Sequence, residues 1–372
     1  MLTIVPPGQK RLDDYREVMG EEAYQEIMDL AGPLSGKKVL HVNATATGGG
    51  VAEILKTLVP LTNNVGLQAD WAVMKGSQEF FQVTKAMHNS LQGKVDQWTR
   101  EMWDLWRHHN ELNADDLGTE GYDFVVVHDP QPAAMLSFLR RNSPTSNGKW
   151  VWRCHIDLTD AQRDVWETLK PFVELYDYAI FTLPEYANGG LKGPEVAYIH
   201  PAIDPLSPKN SPLAKGAMDK VLAGNGIDPG RPMIAQISRF DPWKDPLGVI
   251  DAYRAVKKTV PDLQLVMVAA MAGDDPEGWV FYEKVLRRAG EDPDIHFLTD
   301  HYGLGNDIQV NAIQAKADVV VQKSIREGFG LTVTEALWKS KPVVAGDTGG
   351  IRLQVLRGET GFLASSMQEF VQ

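Results

Sequence analysis

The sequence predicts an α/β protein made of two doubly wound domains in tandem. Short runs rich in valine and isoleucine alternate with longer helical stretches from Lys37 onward. This alternation stops at a proline-rich segment near residue 200 and then starts again. Nearly continuous apolar strands separated by helices are typical of a parallel sheet covered on both faces. A length of 372 residues also suits about two domains of ordinary size.

The first domain is predicted over residues 1–200. Each of its repeats has an apolar run, a polar or glycine turn, and a helical stretch. The predicted strands are 37–43, 67–73, 123–129, 149–155, 177–183 and 195–201. The predicted helices are 50–64, 78–91, 97–110, 131–141 and 160–174.

A linker or hinge is predicted at residues 201–216, because the segment "HPAIDPLSPKNSPLAKG" has four prolines and no periodicity. The second domain is predicted over residues 217–372. Its strands are 232–238, 263–269, 295–299, 317–322 and 341–346, and its helices are 245–259, 277–289, 307–316 and 331–339. In a tandem pair of such domains, the cleft between them is the expected ligand site.

Composition and charge exclude several classes of protein. A net charge of -12 argues against non-specific nucleic-acid binding. No run approaches the ~20 apolar residues of a membrane span, and the N-terminus has no apolar signal sequence. The single Cys154 excludes an internal disulfide and a cysteine zinc cluster. We therefore expect a cytoplasmic protein that binds neither membranes nor nucleic acids. The expected assembly is a homodimer.

Polar residues and glycines follow the predicted strands of the first domain. Gly48, Gly49 and Gly50 open a helix, where glycine lets a ligand approach the backbone and free N–H groups can bind an anion. The same run is equally consistent with a tight structural turn. The third and fourth strands end at Asp129 and at "CHIDLTD", which contains His155 and Asp157. Neighbours on a strand point to opposite faces, so Cys154 and His155 cannot easily pair.

Charged residues follow two strands of the second domain. Arg239 and Lys244 fall in one loop after strand 232–238, and an arginine fork with a lysine suits a diphosphate. After strand 317–322, a helix begins near Leu331, which leaves the amides of Gly330, Leu331 and Thr332 available to a phosphate.

Two acids, Glu327 and Glu335, lie on either side of this helix start. One interpretation is that these acids only increase solubility and provide a favourable charge near a helix start. The sharper interpretation is that the two acids hold sugar hydroxyls while the phosphates lie between them. No Asp-x-Asp pair ends a strand convincingly, and "AGDDPEG" at 272–278 is interpreted as a turn. We therefore expect no required metal or cofactor, with Mg²⁺ at most stimulating.

The combined pattern resembles the retaining glycosyltransferases of family 4, which have the GT-B architecture of two Rossmann-like domains with a cleft between them. The matching residues are the Glu-x7-Glu pair Glu327 and Glu335, the basic pair Arg239 and Lys244, the glycine loop Gly48 to Gly50, and His155. The resemblance implies that Glu327 contacts the transferred sugar and Glu335 the ribose. It also implies that the basic pair neutralises the leaving diphosphate and that His155 lies beside the transferred sugar.

More narrowly, "VVHDPQP", "WRCHIDLTD" and "SIREGFGLTVTEALWKSKPVVAGDTGGIRLQV" are similar to the trehalose glycosyltransferring synthases. This resemblance implies transfer of glucose from UDP- or ADP-glucose to free glucose, with retention, to form trehalose. In the related trehalose-phosphate synthases, a His-Asp strand end helps to hold the acceptor, a role that the resemblance carries to Asp129. Family members continue into a helix that crosses back onto the first domain, whereas 37 residues follow Glu335 here, so we expect that helix to be missing or very short.

Three alternatives stay open at this point. A trehalose phosphorylase would use phosphate and glucose 1-phosphate in place of the nucleotide-sugar. A glycoside hydrolase would also use two carboxylates, but it has no use for Arg239 and Lys244 beside a helix start. A non-catalytic nucleotide-sugar-binding protein would bind the nucleotide without turnover.

Overall fold

The computed structural model describes residues 2–47, 49–117, 121–142, 148–187, 190–270, 278–300 and 307–372. The chain divides into two compact units with a boundary between Pro201 and Ala202. We refer to them as the first and the second unit. Among the described residues, no helix has both the length and the apolar character needed to cross a membrane.

The first unit is built on one seven-stranded sheet. Its strands are β1 Thr3–Val5, β2 Lys38–Asn43, β3 Gln68–Val73, β4 Phe124–His128, β5 Lys149–Arg153, β6 Tyr178–Phe181 and β7 Glu195–Tyr198. Its helices are α1 Arg16–Ala31, α2 Gly50–Asn64, α3 Gln78–Leu91, α4 Arg100–Asp116, α5 Met135–Asn142 and α6 Arg163–Val173. The strand order is β1-β3-β2-β4-β5-β6-β7, and β1 is the antiparallel member.

The predicted strands of the first domain correspond to β2–β7, whereas β1 and α1 are not predicted. Strand β1 is only three residues long and lies at the edge of the sheet, so it leaves little periodic signal. Helix α1 buries only Ala31, and Gly20 within it has a φ of 81°. A helix with so small an apolar face lacks the pattern by which amphipathic helices are recognised.

The second unit contains a six-stranded parallel sheet. Its strands are β8 Met233–Ile237, β9 Gln264–Ala270, β10 Ile295–Asp300, β11 Val319–Gln322, β12 Val343–Gly346 and β13 Gly361–Ala364. Its helices are α7 Lys215–Gly224, α8 Pro246–Lys257, α9 Gly278–Ala289, α10 Asp307–Lys316, α11 Leu331–Trp338 and α12 Met367–Val371. Both units therefore confirm the predicted α/β class with doubly wound sheets.

Strand order determines where a ligand crevice forms in each sheet. The second sheet runs β10-β9-β8-β11-β12-β13, so its order reverses between β8 and β11. In the first sheet the corresponding reversal lies between β2 and β4. Ligands of open parallel sheets bind outside the carboxyl ends of the strands at such reversals. A ligand-binding site is therefore expected in the loops that follow these four strands.

Residues 202–214 belong to the second unit and contact its helices. The Asn311 side chain donates hydrogen bonds to the carbonyl oxygens of Pro208 (2.8 Å) and Ser211 (2.7 Å). Asn210 is buried and accepts a 2.7 Å hydrogen bond from the Lys339 ammonium. Helix α7 then begins at Lys215, within the range predicted as a linker. The prolines prevent regular structure here, while the side chains of Asn311 in α10 and of Lys339, just after α11, hold the segment in place.

Candidate active site

The loop after β8 carries the predicted basic pair. Asp241 precedes a short 3-10 turn, Pro242–Lys244, and its carboxylate accepts a 3.1 Å hydrogen bond from the Lys244 backbone N–H. The other carboxylate oxygen of Asp241 lies 3.7 Å from the Arg239 guanidinium. Asp241 is buried and contacts both the Lys244 backbone and the Arg239 guanidinium, so it helps to hold the loop that carries the two basic residues.

Lys244 and Glu327 form a close ion pair. The Lys244 Nζ lies 2.5 Å from Glu327 Oε2, and both side chains are largely buried. The same carboxylate oxygen accepts a 3.1 Å hydrogen bond from the Ser324 hydroxyl. The two residues come from the loops after β8 and β11, the strands between which the sheet order reverses. The structure thus brings together two residues that the sequence places 83 positions apart.

Two buried glutamines support this pair and were not predicted from the sequence. The Gln322 side chain donates to the Ser324 hydroxyl (3.1 Å) and lies 3.5 Å from Glu327 Oε2. The Gln236 side chain donates to the Lys244 carbonyl oxygen (2.9 Å). Each glutamine also has a buried Oε1 that no hydrogen-bond donor among the described residues reaches. Each glutamine lies in an otherwise apolar strand, "MIAQI" or "VVVQ". A polar residue in such a strand needs a hydrogen-bond partner, and this is the signal in the sequence that could have identified them.

Helix α11 begins with an uncapped first turn. Gly330 occupies the N-cap position with a φ of 87°, and no side chain caps the helix. The first backbone N–H groups of the helix, including those of Leu331 and Thr332, are therefore left for another acceptor. A Cβ at position 330 would lie 3.3 Å from Glu327 Cγ, so the glycine also gives that side chain room. The turn has the properties of an anion site beside Glu327.

Glu335 lies one turn into α11 in a separate polar cluster. Its carboxylate is 3.2 Å from the Lys209 ammonium and accepts a 3.0 Å hydrogen bond from the buried Gln314. The Lys339 ammonium bonds to Asn210, to Gln314 and to the Glu335 carbonyl oxygen. Burial lowers the Lys339 pKa to about 8. The two acids of the Glu-x7-Glu pair thus each have a lysine, and they do not pair with each other.

In the first unit, the glycine run follows β2. Gly49 is the N-cap of α2 and Gly50 is its first residue, whereas Gly48 lies outside the described residues. Asn43, at the end of β2, donates to the Thr45 carbonyl oxygen (2.7 Å) and accepts from the buried Trp71 indole (2.7 Å). These bonds hold the turn that leads to Gly49.

Asp129 follows β4 with a left-handed backbone, at φ 65°. This conformation is costly for a residue with a side chain, although aspartate tolerates it better than most. Its carboxylate accepts a 2.8 Å hydrogen bond from the His155 backbone N–H. Asp157 is buried, and its carboxylate bonds to the backbone and hydroxyl groups of Thr159. Asp129 therefore supports the turn that carries His155, and Asp157 shapes the turn that follows it.

The His155 ring is the end of a chain of three imidazoles. His155 Nε2 lies 2.9 Å from His128 Nδ1, and His128 Nε2 lies 3.1 Å from His41 Nδ1. Burial and the nearby Arg153 cation lower the His155 pKa to about 3, and burial lowers the His41 pKa to about 4. Burial likewise lowers the His128 pKa well below its ordinary value. All three rings are therefore neutral at physiological pH.

The predicted site residues thus form two groups, one in each unit. Lys244, Glu327, Gly330 and Arg239 belong to the loops after β8 and β11, and Glu335 to the neighbouring cluster on α11. Asp129, His155 and Asp157 belong to the loops after β4 and β5. Within the described ranges, no group of three or more metal-binding side chains occurs. The "AGDDPEG" segment falls almost entirely outside those ranges.

Comparison with known proteins identifies the family. Residues 41–188 match the family model "Trehalose synthase, N-terminal domain", and residues 218–370 match "Glycosyl transferases group 1". The chain is 49% identical to the trehalose synthase of Thermococcus litoralis over 364 residues, which covers 98% of this chain and 87% of that protein. It is 28% identical to the trehalose phosphorylase of Pleurotus pulmonarius, which covers 95% of this chain and 54% of that protein.

The fold is similar to that of a solved trehalose-6-phosphate synthase. The TM-score is 0.70 with 90% of each chain covered, at 16% sequence identity. At this identity the similarity establishes the fold, which confirms the GT-B architecture. The 49% identity to a trehalose synthase, over 98% of this chain, establishes the family. The chain therefore belongs to the trehalose synthase family, and it is a glycosyltransferase of trehalose metabolism with the GT-B fold.

Proposed function

We propose that this glycosyltransferase transfers glucose from a nucleoside-diphosphate-glucose to free glucose, with retention, to form trehalose. The observation that carries the proposal is the meeting of Lys244, Glu327 and the uncapped start of α11 at the reversal of strand order in the second sheet. A cation and free backbone N–H groups suit a diphosphate, and a carboxylate beside them suits a sugar hydroxyl. A hydrolase would not need this anion site.

The diphosphate would bind to Arg239, Lys244 and the first amides of α11. The departing nucleoside diphosphate gains negative charge in the transition state, and stabilising that charge is usually the largest catalytic contribution. Lys244 would exchange its contact with Glu327 for the diphosphate, or share the two. Cationic side chains and amides can stabilise this charge themselves, so the proposed reaction requires no metal, and Mg²⁺ would at most stimulate.

The sugar and the ribose would be held by the two acids. Glu327 would accept hydrogen bonds from the transferred glucose, and Glu335, held by Lys209 and Gln314, would accept them from the ribose. His155 would lie beside the transferred glucose. The acceptor glucose would contact Asp129 and the turns that contain Gly49, Gly50 and Asp157, and would attack from the face that the diphosphate leaves.

The test is product analysis by NMR with unlabelled enzyme. The protein is incubated with UDP-glucose or ADP-glucose plus free glucose, and separately with phosphate plus trehalose. The expected product is trehalose with its retained α linkage, together with the free nucleoside diphosphate. Glucose 1-phosphate from trehalose and phosphate would overturn the proposal in favour of a phosphorylase, the activity in the name of the Pleurotus relative. Absence of product in every mixture would overturn both.

A further inference from the structure

Three histidines on adjacent strands form a continuous hydrogen-bonded chain in the first unit. His41 lies in β2, His128 ends β4, and His155 follows β5. Because His41 is paired with Val126, and His128 with Arg153, the three side chains lie on one face of the sheet along a diagonal. The facing rings of His128 and His155 are nearly parallel, at an interplanar angle of 16°. We refer to these residues as the imidazole chain.

The two hydrogen bonds restrict where the protons lie. A neutral imidazole has one N–H and one lone pair, so it can donate on one side and accept on the other. If His155 donates from Nε2, then His128 accepts at Nδ1 and must donate from its own Nε2 to His41. If instead His41 donates from Nδ1, all three rings carry the proton on Nδ1. The chain therefore requires the same tautomer in all three rings.

Arg153 distinguishes the two arrangements. Its guanidinium donates hydrogen bonds to the carbonyl oxygens of Phe181 and Ile199, on the side of β5 that is opposite to His41. A cation at that end of the chain favours N–H groups that point away from it, toward His41. This orientation places the protons on the Nε2 atoms. The Nδ1 atom of His155 is then a hydrogen-bond acceptor, and no described side chain or backbone group donates to it.

We infer that His128 and His41 are positioning residues that fix His155 as the Nε2–H tautomer, so that its Nδ1 accepts a hydrogen bond from a hydroxyl of the bound sugar. The inference rests on the proposed function, because it assumes that His155 contacts sugar. Burial supports it, since His41 and His128 are only 6% and 4% exposed and do not themselves reach a ligand through solvent. Because the tautomer of His155 is already fixed, the site does not have to change it when the sugar binds.

The first test measures the tautomers directly and does not depend on activity. The intact protein is labelled with ¹⁵N-histidine, and long-range ¹H–¹⁵N correlations are recorded near pH 7. The three rings are expected to be neutral with the proton on Nε2. In His41→Leu, His128 loses its acceptor, so a measurable fraction of His155 is expected to shift to the Nδ1–H form. Mixed tautomers in the unmodified protein, or an Nδ1–H chain, would overturn the inference.

The second test uses kinetics with a matched pair of variants. Asparagine keeps a hydrogen-bonding group near the position of Nδ1, whereas leucine removes it. We expect His41→Leu to lower kcat about tenfold and His41→Asn to stay within about threefold of the unmodified enzyme. Binding of UDP is expected to be unchanged in both variants, because UDP contacts the second unit. Equal kcat values for the two variants, at equal thermal stability, would contradict a positioning role.

A control histidine separates this effect from general loss of packing. His88 lies on α3 in the same unit, and its Nδ1 contacts Gln92 at 2.8 Å, outside the imidazole chain. His88→Leu is expected to leave kcat and the His155 tautomer unchanged. If trehalose synthesis itself fails in the unmodified protein, the proposed function fails, while the tautomer measurement still tests the imidazole chain.

Discussion

Lys244 and Glu327 lie in ion-pair contact, with 2.5 Å between Nζ and Oε2. Each residue would have its own partner in the proposed reaction, the diphosphate for the lysine and the glucose for the glutamate. Their contact therefore holds both side chains near the site while partly satisfying each charge. Removing the glutamate frees the lysine for the diphosphate, so turnover and affinity for the nucleotide should respond differently to this change.

We expect Glu327→Gln to lower kcat by about 10²–10³-fold, because a positioned charge next to the reacting sugar is lost. Affinity for UDP should be equal or higher, because Lys244 no longer shares its charge with a carboxylate. Isothermal titration with UDP and steady-state kinetics measure the two effects. Glu283→Gln is the control, since Glu283 pairs with Arg287 on an exposed face of α9. Retained turnover in Glu327→Gln would show that Glu327 has been assigned the wrong role.

A second prediction concerns Gly330, whose left-handed backbone starts α11. Gly330→Ala should destabilise the fold by about 1–2 kcal/mol, because a Cβ is disfavoured at a φ of 87°. It should also lower turnover, since the new Cβ would crowd Glu327 Cγ and Ile351. Gly358→Ala is the matched control, because Gly358 has a φ of 80° and open space around its Cβ position. Both variants should lose similar stability in urea unfolding, but turnover should fall only for Gly330→Ala; an equal loss in the two would refute the contact.

Much of the fold and part of the site could be predicted from the sequence. Parallel strands that are buried on both faces can be predicted from their continuous apolar runs, as in the "LVMVAA" of β9. Strand ends then indicate site residues, and Lys244 and Glu327 do lie together at the reversal of strand order. Their direct contact was not predictable, because sequence gives the loop but not the direction of its side chains.

Other supporting residues depend on pairing across strands. His41 and His128 reach His155 only through the register between β2, β4 and β5, which sequence reasoning does not determine. The contact of Lys209 with Glu335 could not be predicted for another reason. Its proline-rich segment has no periodic pattern and is predicted as a linker, yet it contacts Glu335 because α10 and α11 bind its backbone and side chains.

A third prediction tests the contact between Lys209 and Glu335. Under the proposed function, Lys209→Met should raise the KM for the nucleotide-sugar by up to about tenfold, because the buried Glu335 loses a charged partner and would hold the ribose less well. The value of kcat should change little, since the ribose is remote from the bond that breaks. Lys316→Met is the control: Lys316 pairs with Asp219 at 2.8 Å and is similarly buried. A fall in kcat with unchanged KM would contradict a ribose-binding role for this cluster.

The last prediction concerns pH and the imidazole chain. His41 is neutral in the folded protein because burial lowers its pKa to about 4, whereas the unfolded chain binds a proton near pH 6.5. Between these two pH values the unfolded state binds more protons than the folded state, so stability falls as pH falls. From pH 6.5 to pH 5, His41 alone should lower the free energy of unfolding by about 1.5 kcal/mol, because the full slope of about 1.4 kcal/mol per pH unit is reached only below the unfolded pKa.

Urea unfolding at pH 6.5 and pH 5 measures this loss, in a range where most carboxylates stay ionised. We expect His41→Leu to lose less stability than the unmodified protein on acidification, by about the contribution of that one histidine. Val42→Ala serves as the control because Val42 is buried in the same strand and has no titratable group, so its pH dependence should match that of the unmodified protein. If His41→Leu and the unmodified protein lost stability in parallel, His41 would bind protons equally in the folded and unfolded states, and a lowered pKa of His41 in the folded protein would be contradicted.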